Sequence, residues 1–453
     1  MDKLELYLEI IPLPLVIGVG FFALMIYLII PAETRFFMTF VIMPPWLVLS
    51  RSIDLGFIAA FTKLTSGLLF LLMGLAALLR PKAKRSVPGI AWFYLIGSFY
   101  LLICLLGVIE MVDTMAIEIQ WIFAVLAGIA AVATLTTLED VHKMLWALGF
   151  GLIIATCIPL SAIIIEPGSA FRIGLNRFTP WGAAANLIGL LFVVGGPTLL
   201  YMIMSARSNT IKPILIGMLI ASIGMAILTG SRMTVFSLFV SLGLMAIPLV
   251  KRPGLMISGA LVGAILLPIF LGVNEQAASR LGALSSSGRV DIWLNYLQLS
   301  LSRPLGLFGT GGLSVLFDPS IGAHPHSSWV EMLYLGGWPY LIMMAFPAIY
   351  GLRCAYQVWR NRSIYATGNH QFLIHALAAF IASIYFQSLF NQSLYYPTYT
   401  LSFLGILVTV LFMALKAEMP YQREVYEDWL QEWHDEEDES SENWDESPMP
   451  APT

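Results

Sequence analysis

Apolar residues occur along most of the chain in runs that approach the length needed to cross a lipid bilayer. A transmembrane helix needs about 20 such residues to span the hydrocarbon core. The runs lie at about 12–30, 36–50, 57–79, 89–109, 117–135, 144–165, 182–205, 211–229, 233–250, 254–273, 328–352, 370–389 and 395–415. The run at 36–50 is short and contains Pro44 and Pro45, so a kinked or re-entrant segment is an alternative there. The pattern predicts an all-α polytopic membrane protein with twelve or thirteen transmembrane helices.

The composition supports this class of protein. Of 453 residues, 58% are hydrophobic and only 11% are charged, whereas an ordinary soluble domain has roughly 25% charged residues. These values exclude a water-soluble globule, a nucleic-acid-binding protein and a disordered chain. The three cysteines are far apart, so we interpret them as packing residues rather than zinc ligands or disulfide partners. The acidic start MDKLELYLE lacks a basic n-region, and we expect no cleavable signal peptide.

The charges predict an orientation and two regions. If the basic loop at 80–85 is cytoplasmic, 15 of the 24 Lys and Arg residues lie inside, eight lie outside, and Lys63 lies within a span. Residues 416–453 hold 13 acidic and two basic residues, a net charge of −11. We therefore expect a polytopic transmembrane domain at 1–415, which includes a large outer loop at 274–327. A mostly disordered acidic cytoplasmic tail would follow at 416–453.

Seven of the eight cations on the outer side are arginines. The guanidinium group is planar and permanently charged, and its fork of donors matches phosphate oxygens. An arginine there can instead cap a helix end or contact lipid headgroups. For four of them we favour a shared anionic ligand: Arg172, Arg177, Arg232 and Arg289.

The outer loop at 274–327 is long enough to have its own structure and function. Within it, SSGRVDIWLNYLQLSLSRP has helical spacing, and Ser286 or Ser287 is a candidate N-cap. The helix would then begin near Arg289, and the N-terminus of a helix favours an anion. The loop predicts a partly helical outer segment that contributes to an anion site.

Two histidines, His324 and His326, lie on the outer side of the predicted topology. Because imidazole titrates near neutral pH, His326 is the candidate general base. The alternative is that the pair caps a helix beginning near Ser327. Glu331 follows at the start of the span, where an acid needs a partner. It would orient His326, or else form a structural ion pair with an outer arginine.

Tyrosine side chains gather at the outer end of the last predicted spans, in the segment NQSLYYPTY at 391–399. Tyr395 and Tyr396 suit sugar stacking, so we consider them candidate acceptor contacts. The alternative is the ordinary aromatic belt of membrane proteins.

Four segments of the chain, taken in order, resemble the O-antigen ligase and O-antigen polymerase family of bacterial membrane glycosyltransferases. They are the arginine-bearing loop before Asn186, TGSRMTVF at 229–236, SSGRVDIW at 286–293 with the later turn PLGLFGTG, and HPHSSWVEMLYLGG at 324–337. Two positions depart from the family pattern. Ser327 stands where Asn is usual, and Tyr334 stands where many members have a second acid.

The resemblance implies a fold like that of type C glycosyltransferases (GT-C). It also implies a glycan donor on undecaprenyl diphosphate at the outer face of the bacterial inner membrane, and a metal-independent, inverting transfer to an acceptor hydroxyl. The four arginines would bind the diphosphate. His326, Arg289 and Glu331 would be the catalytic group, and His324 would contact the acceptor. The outer acids form no Asp-x-Asp pair, so we expect neither a metal nor a cofactor.

The function favoured by the sequence is polymerisation of O-antigen or exopolysaccharide repeat units. The alternatives are a ligase that transfers the glycan to lipid A-core or protein, a polysaccharide or small-solute transporter, and a non-catalytic scaffold. The expected partners are the lipid-linked oligosaccharide, a glycan or lipid A-core acceptor, membrane lipid and other polysaccharide-assembly proteins, but no nucleic acid.

Overall fold

A computed structural model describes residues 13–171, 177–248, 288–365, 370, 372–391, 394, 400–428 and 431. This part of the chain is almost entirely helical, and its only β-type pairing is an isolated bridge between Phe171 and Phe178. In chain order its helices are α1 Leu13–Ile29, α2 Ala32–Arg51, α3 Phe57–Leu64, α4 Ser66–Leu79, α5 Phe93–Cys104, α6 Met111–Thr134, α7 Leu138–Ile165, α8 Pro167–Ala170, α9 Ala185–Ser205, α10 Ile211–Leu228, α11 Arg232–Ala246, α12 Arg289–Ser302, α13 Ser328–Arg360, α14 Leu373–Ser388, α15 Thr400–Ala417 and α16 Met419–Asp428.

Every predicted apolar run that falls within the described residues contains a helix, and the run at 254–273 lies outside them. Five of the described helices are long and apolar enough to cross a membrane, or seven if each of two bent pairs counts as one span. Three more apolar helical stretches are shorter, including α11 and α14. The predicted fold class, an all-α polytopic membrane protein, is confirmed. The total of twelve or thirteen spans stays a prediction.

Helix α2 is continuous over 20 residues despite Pro44 and Pro45, but it is not among the helices long and apolar enough to cross a membrane. The kinked or re-entrant alternative for residues 36–50 therefore stays a prediction. A proline removes the backbone donor to the carbonyl four residues earlier, which leaves the carbonyls of Phe40 and Val41 without their helical partners. Gly151 of α7 lies against both: a Cβ there would come within 2.4 Å of the Val41 oxygen. A small residue thus lets the two backbones approach closely at the weakened turn.

One end of the bundle is held by buried charges from loops that are far apart in sequence. Arg80 has a fully buried side chain and makes a bidentate pair with Glu33, at 2.7 Å for both nitrogen–oxygen pairs. The same guanidinium binds Asp140 at 2.6 Å, and Lys82 binds Asp140 at 2.8 Å. Nearby, Arg85 pairs with Glu418 beyond α15 at 2.7 Å. We call this the Arg80 end.

The opposite ends of the same helices meet the outer loops that the sequence singled out. We call this the motif end, formed by residues 51–56, 104–110, 166–171, 177–182, 228–232, 288–338 and 388–391. Backbone hydrogen bonds join its loops, such as Phe178 N to Leu228 O at 3.1 Å and Gly312 N to Gly107 O at 2.8 Å. The arginines and histidines of interest that the structure describes lie at this end.

Candidate active site

Arg177 fixes the backbone just before the Ser-Arg motif. Its Nε donates to the Thr229 carbonyl and one terminal nitrogen donates to Asn186 Oδ1, both at 2.8 Å. The loop at 166–182, the start of α9 and the end of α10 are therefore tied together. These contacts hold Arg177 against the backbone three residues before Arg232, and its predicted binding of the diphosphate stays a prediction.

Arg232 and Arg289 each occupy the first position of a helix, α11 and α12. The N-terminal end of a helix carries partial positive charge, so each arginine adds to a site that attracts anions. Burial lowers the pKa of Arg289, and the charge of Arg232 lowers it further. The two guanidinium groups are thus close enough to interact, as expected for arginines that share one anionic ligand.

Gly288, rather than Ser286 or Ser287, is the N-cap of α12. It has a φ of 71° and no side-chain cap, a left-handed backbone that glycine adopts at little cost. The predicted helix is confirmed, but its cap was wrongly assigned because serine propensity does not register this turn. Because residue 288 is glycine, it has no side chain to cap the first backbone N–H groups of α12.

Two aromatic side chains of α12 hold the histidine-bearing loop. Trp293 donates from its indole nitrogen to the Pro325 carbonyl at 2.7 Å, and the Tyr296 hydroxyl donates to the Ala323 carbonyl at 2.8 Å. Arg289 and Trp293 are one helical turn apart on α12. The bond from Trp293 therefore fixes the helix that carries Arg289 against the loop that carries His326.

His326 has a left-handed backbone, with a φ of 51°. That conformation is uncommon for residues other than glycine, and strain of this kind is concentrated at functional sites. The backbone N–H of His326 donates to His324 Nδ1 at 3.0 Å, and the two rings lie 5.1 Å apart. The bond fixes the His324 ring against the backbone of this turn, and His326 itself is exposed at the motif end.

Glu331 contacts His324 rather than His326: His324 Nε2 lies 3.6 Å from its Oε1. Burial lowers the pKa of His324 to about 4, with a smaller contribution from His326. His324 is therefore neutral near pH 7, and its contact with Glu331 is not a pairing of two full charges. The predicted orientation of His326 by Glu331 is indirect, because the buried acid acts on the neighbouring ring.

Although His326 is exposed, nearby protein atoms partly desolvate its ring and lower its pKa, and the positive charge of Arg289 lowers that pKa further. Arg289 thus interacts electrostatically with both Arg232 and His326. A neutral imidazole near the Arg289 guanidinium group is able to accept a proton while an anion is bound next to it.

Two glycine motifs of the sequence meet in the structure. Gly306, from the PLGLFGTG turn, and Gly337, at the end of the histidine motif, both have left-handed backbones, with φ of 64° and 67°. A Cβ on Gly337 would lie 2.1 Å from the Pro304 oxygen. Gly337 interrupts helical geometry inside α13, so the first part of that helix is set apart from the span that follows.

Segment 387–391 was not predicted to hold the site together. Arg289 donates to the Phe390 carbonyl at 2.9 Å, and Trp329 donates to Ser388 Oγ at 3.0 Å. The sequence pointed instead to Tyr395 and Tyr396, which lie outside the described residues, as does Arg172. These three assignments stay predictions. The short segment QSLFN at 387–391 carries no local signal for such contacts.

One further acid was missed by the sequence analysis, which took Lys63 as the clearest charge within a span. Glu118 in α6 is fully buried, and neither carboxyl oxygen has a hydrogen-bond partner in the described part of the chain.

Within the described part of the chain, no group of three or more His, Cys, Asp or Glu residues is arranged to hold a metal ion.

The fold and this end of the bundle define a multi-pass helical membrane protein with a cationic and imidazole-bearing site. Residues 217–345 match the family model described as O-antigen ligase. This segment contains Arg232, Arg289, His324, His326 and Glu331, and the match supports the predicted resemblance to the O-antigen ligase and polymerase family. It supports a membrane glycan-transfer function in O-antigen assembly. Comparison with curated proteins found no match.

Proposed function

We propose that the protein transfers a glycan from undecaprenyl diphosphate to an acceptor hydroxyl, and thereby polymerises O-antigen or exopolysaccharide repeat units. The observation that carries this proposal is geometric: Arg232 and Arg289 begin α11 and α12, and Trp293 of α12 holds the loop of His326 through the Pro325 carbonyl. Transfer from a lipid diphosphate needs positive charge for the leaving group and a base for the acceptor. This group of side chains supplies both.

The arginines act on the leaving group. As the bond between the anomeric carbon and the phosphate oxygen breaks, negative charge grows on the departing undecaprenyl diphosphate. Preorganised donors stabilise such charge more strongly in a partly dehydrated site than in water. Arg232 and Arg289 are placed at helix N-termini for this task. They supply charge that a divalent cation would otherwise provide, and we propose a metal-independent reaction on that basis. Arg172 is a further candidate for the same anion.

His326 acts on the acceptor. Its neutral imidazole takes the proton of the attacking hydroxyl while the acceptor oxygen bonds to the anomeric carbon from the face opposite the diphosphate. The products are the elongated glycan, undecaprenyl diphosphate and a protonated imidazole, which then releases its proton to solvent. A single displacement of this kind inverts the anomeric configuration. Glu331 and His324 keep the loop in place, and His324, Tyr395 and Tyr396 are candidate acceptor contacts.

We propose that the motif end faces the periplasm and the Arg80 end faces the cytoplasm of the bacterial inner membrane. The excess of cations in the loops of the Arg80 end supports this orientation. A site on the periplasmic side would meet lipid-linked oligosaccharide in the outer leaflet. The acidic tail would then be cytoplasmic, where it can contact other polysaccharide-assembly proteins.

The second candidate function is ligation of the glycan to lipid A-core, which the description of the matched family favours. Both reactions use the same donor and the same leaving group, and they differ only in the acceptor hydroxyl. The products separate them: a ladder of lipid-linked glycans for a polymerase, and glycan joined to lipid A-core for a ligase.

The direct test is the product formed by purified protein in nanodiscs supplied with a lipid-linked repeat unit, with and without lipid A-core. We expect a ladder with the repeat unit alone. Nanodiscs enclose no compartment, so any product also separates an enzyme from a transporter or scaffold. The proposal would be contradicted if folded wild-type protein, given its native lipid-linked substrate, formed neither the ladder nor glycan joined to lipid A-core.

A further inference from the structure

Residues 387–391 are the meeting point of the three helices that carry the motifs. From α11, Ser237 donates to Gln387 Oε1 at 2.8 Å. From α12, Arg289 binds the Phe390 carbonyl. From α13, the backbone N–H and hydroxyl of Ser328 both donate to the Asn391 carbonyl, at 3.2 and 2.9 Å. This segment lies outside the matched residues 217–345.

Two carboxamide groups on this segment have unused donors. Gln387 is fully buried and Asn391 is 9% exposed. Gln387 Nε2 and Asn391 Nδ2 are both buried without a hydrogen-bond partner in the described part of the chain. A buried donor left unsatisfied is costly, and such groups in a folded protein call for an explanation.

The two amides lie on one face of the chain. Asn391 N donates to the Gln387 carbonyl at 3.0 Å, so the helical turn continues past the end of α14. Residues four apart on a helical turn are neighbours on its surface. The bond from Ser237, on the helix that begins at Arg232, holds Gln387 Oε1 and thereby fixes the orientation of the amide that carries Nε2. Arg289 approaches the same turn at Phe390.

We propose that the carboxamide N–H groups of Gln387 and Asn391 donate hydrogen bonds to the phosphate oxygens of the lipid diphosphate donor. The inference rests on the proposed function and assigns to the same site two residues from beyond the matched segment. Phosphate oxygens accept several hydrogen bonds each, and neutral donors add to binding without raising the repulsion between Arg232 and Arg289. Donor binding satisfies both amides, which explains why they are buried without a partner.

Substitution by the matching acid gives the sharpest variants. Asn391→Asp and Gln387→Glu keep shape and volume but replace a donor with an acceptor that is negatively charged when ionised. Ser328 binds the backbone carbonyl of Asn391, so a side-chain change there leaves that contact in place. Asn361→Asp is the matched control, because Asn361 lies at the end of α13 that leads to the Arg80 end and its amide already donates to the Gln357 carbonyl at 2.8 Å.

The experiment measures transfer kinetics and inhibition by added undecaprenyl diphosphate for purified protein in nanodiscs. Asn391→Asp and Gln387→Glu should each raise KM for the lipid-linked donor and the inhibition constant by about 10-fold or more. Asn361→Asp should match wild type. Asn391→Ala and Gln387→Ala, which add no charge, should give a smaller rise in the same two constants and are used where an acid variant fails to fold.

The outcomes separate this inference from the proposed function. The inference alone would be overturned if wild-type protein transfers glycan and is inhibited by the diphosphate, while the amide variants keep the wild-type KM and inhibition constant. A fall in kcat with unchanged KM and inhibition would overturn it too, because that pattern indicates a structural role. Wild-type protein with neither transfer nor inhibition would overturn both.

Discussion

At the residue scale, His326 combines a candidate chemical role with an unusual backbone. The sequence identified this side chain from its type and its place on the outer side, and from the resemblance of its surroundings to a family motif. The left-handed φ of 51° was beyond that reasoning, since no glycine or asparagine marks the turn. The contacts from Trp293 and Tyr296 to the loop are tertiary, and they impose the turn on the histidine.

Replacing His326 with asparagine tests the base without disturbing the turn. Asparagine tolerates left-handed backbone but cannot accept a proton near neutral pH. Loss of a general base typically lowers the rate by about 10²–10⁴-fold. We expect kcat of His326→Asn to fall within that range while the unfolding temperature stays at or above that of wild type. Wild-type kcat in a folded His326→Asn protein would eliminate the base assignment.

The pH dependence of transfer should show the lowered pKa of His326. The neutral imidazole is the active form, so activity is lost as pH falls through its pKa. Partial desolvation of the ring and the charge of Arg289 both lower that pKa, which puts the acid limb of the kcat profile below pH 6.5, the usual value for histidine. Arg289→Gln removes the positive charge that lowers the pKa of His326. The acid limb of the activity that remains should therefore move to higher pH.

The comparison variant for this profile is Arg289→Lys, which keeps the positive charge. Its acid limb should stay closer to that of wild type than the limb of Arg289→Gln. Identical limbs for wild type and Arg289→Gln would show that Arg289 does not act on the imidazole.

At the scale of helices, the positions of the elements followed from apolar periodicity, but their junctions did not. Residues 36–50 looked too short and too rich in proline for a full span, whereas α2 starts earlier, at Ala32, and continues through both prolines. The reason lies in α7, where Gly151 lets a second backbone come up against the freed carbonyls. Hydropathy predicts which segments are apolar enough to be buried, but it does not predict which helix packs against which.

Adding a methyl group at Gly151 should therefore separate α2 from α7. A Cβ would overlap the Val41 oxygen and Pro44, and overpacking of this kind costs about 1–3 kcal/mol. Gly217→Ala in α10 is the control, because a Cβ there meets no atom within 4 Å. Thermal unfolding in detergent should show a lower midpoint for Gly151→Ala and no decrease for Gly217→Ala. Equal midpoints for the two variants would refute the close-approach explanation.

At the scale of the whole molecule, the sequence predicted which loops share a side of the membrane but not how they are joined. The basic loop at 80–85 was predicted to be cytoplasmic, and the structure adds the direct contacts of Arg80 to Glu33 and Asp140. At the motif end, three helices from distant parts of the chain meet on residues 387–391. No sequence spacing encodes these contacts, because they depend on how the helices pack.

Arg80→Ala should weaken the whole bundle. Removing one partner of a buried ion pair costs about 3–5 kcal/mol, and the lower part of that range applies because Asp140 keeps its contact with Lys82. Lys143→Ala is the control, since its pair with Glu139 is exposed and 3.9 Å apart, and such pairs contribute about 0–1 kcal/mol. Denaturant unfolding should separate the variants, and equal midpoints would show that the Arg80 cluster contributes little to stability.

The contacts at residues 387–391 also set the limits for exchanging parts between relatives. A chimaera that receives only residues 217–345 would bring new motif helices onto a foreign turn after α14, where the bonds from Arg289 and Ser328 must be remade. Moving residues 387–391 together with the motif segment preserves those bonds as a unit. Domain swaps intended to change sugar or acceptor choice should therefore be designed as two-segment exchanges.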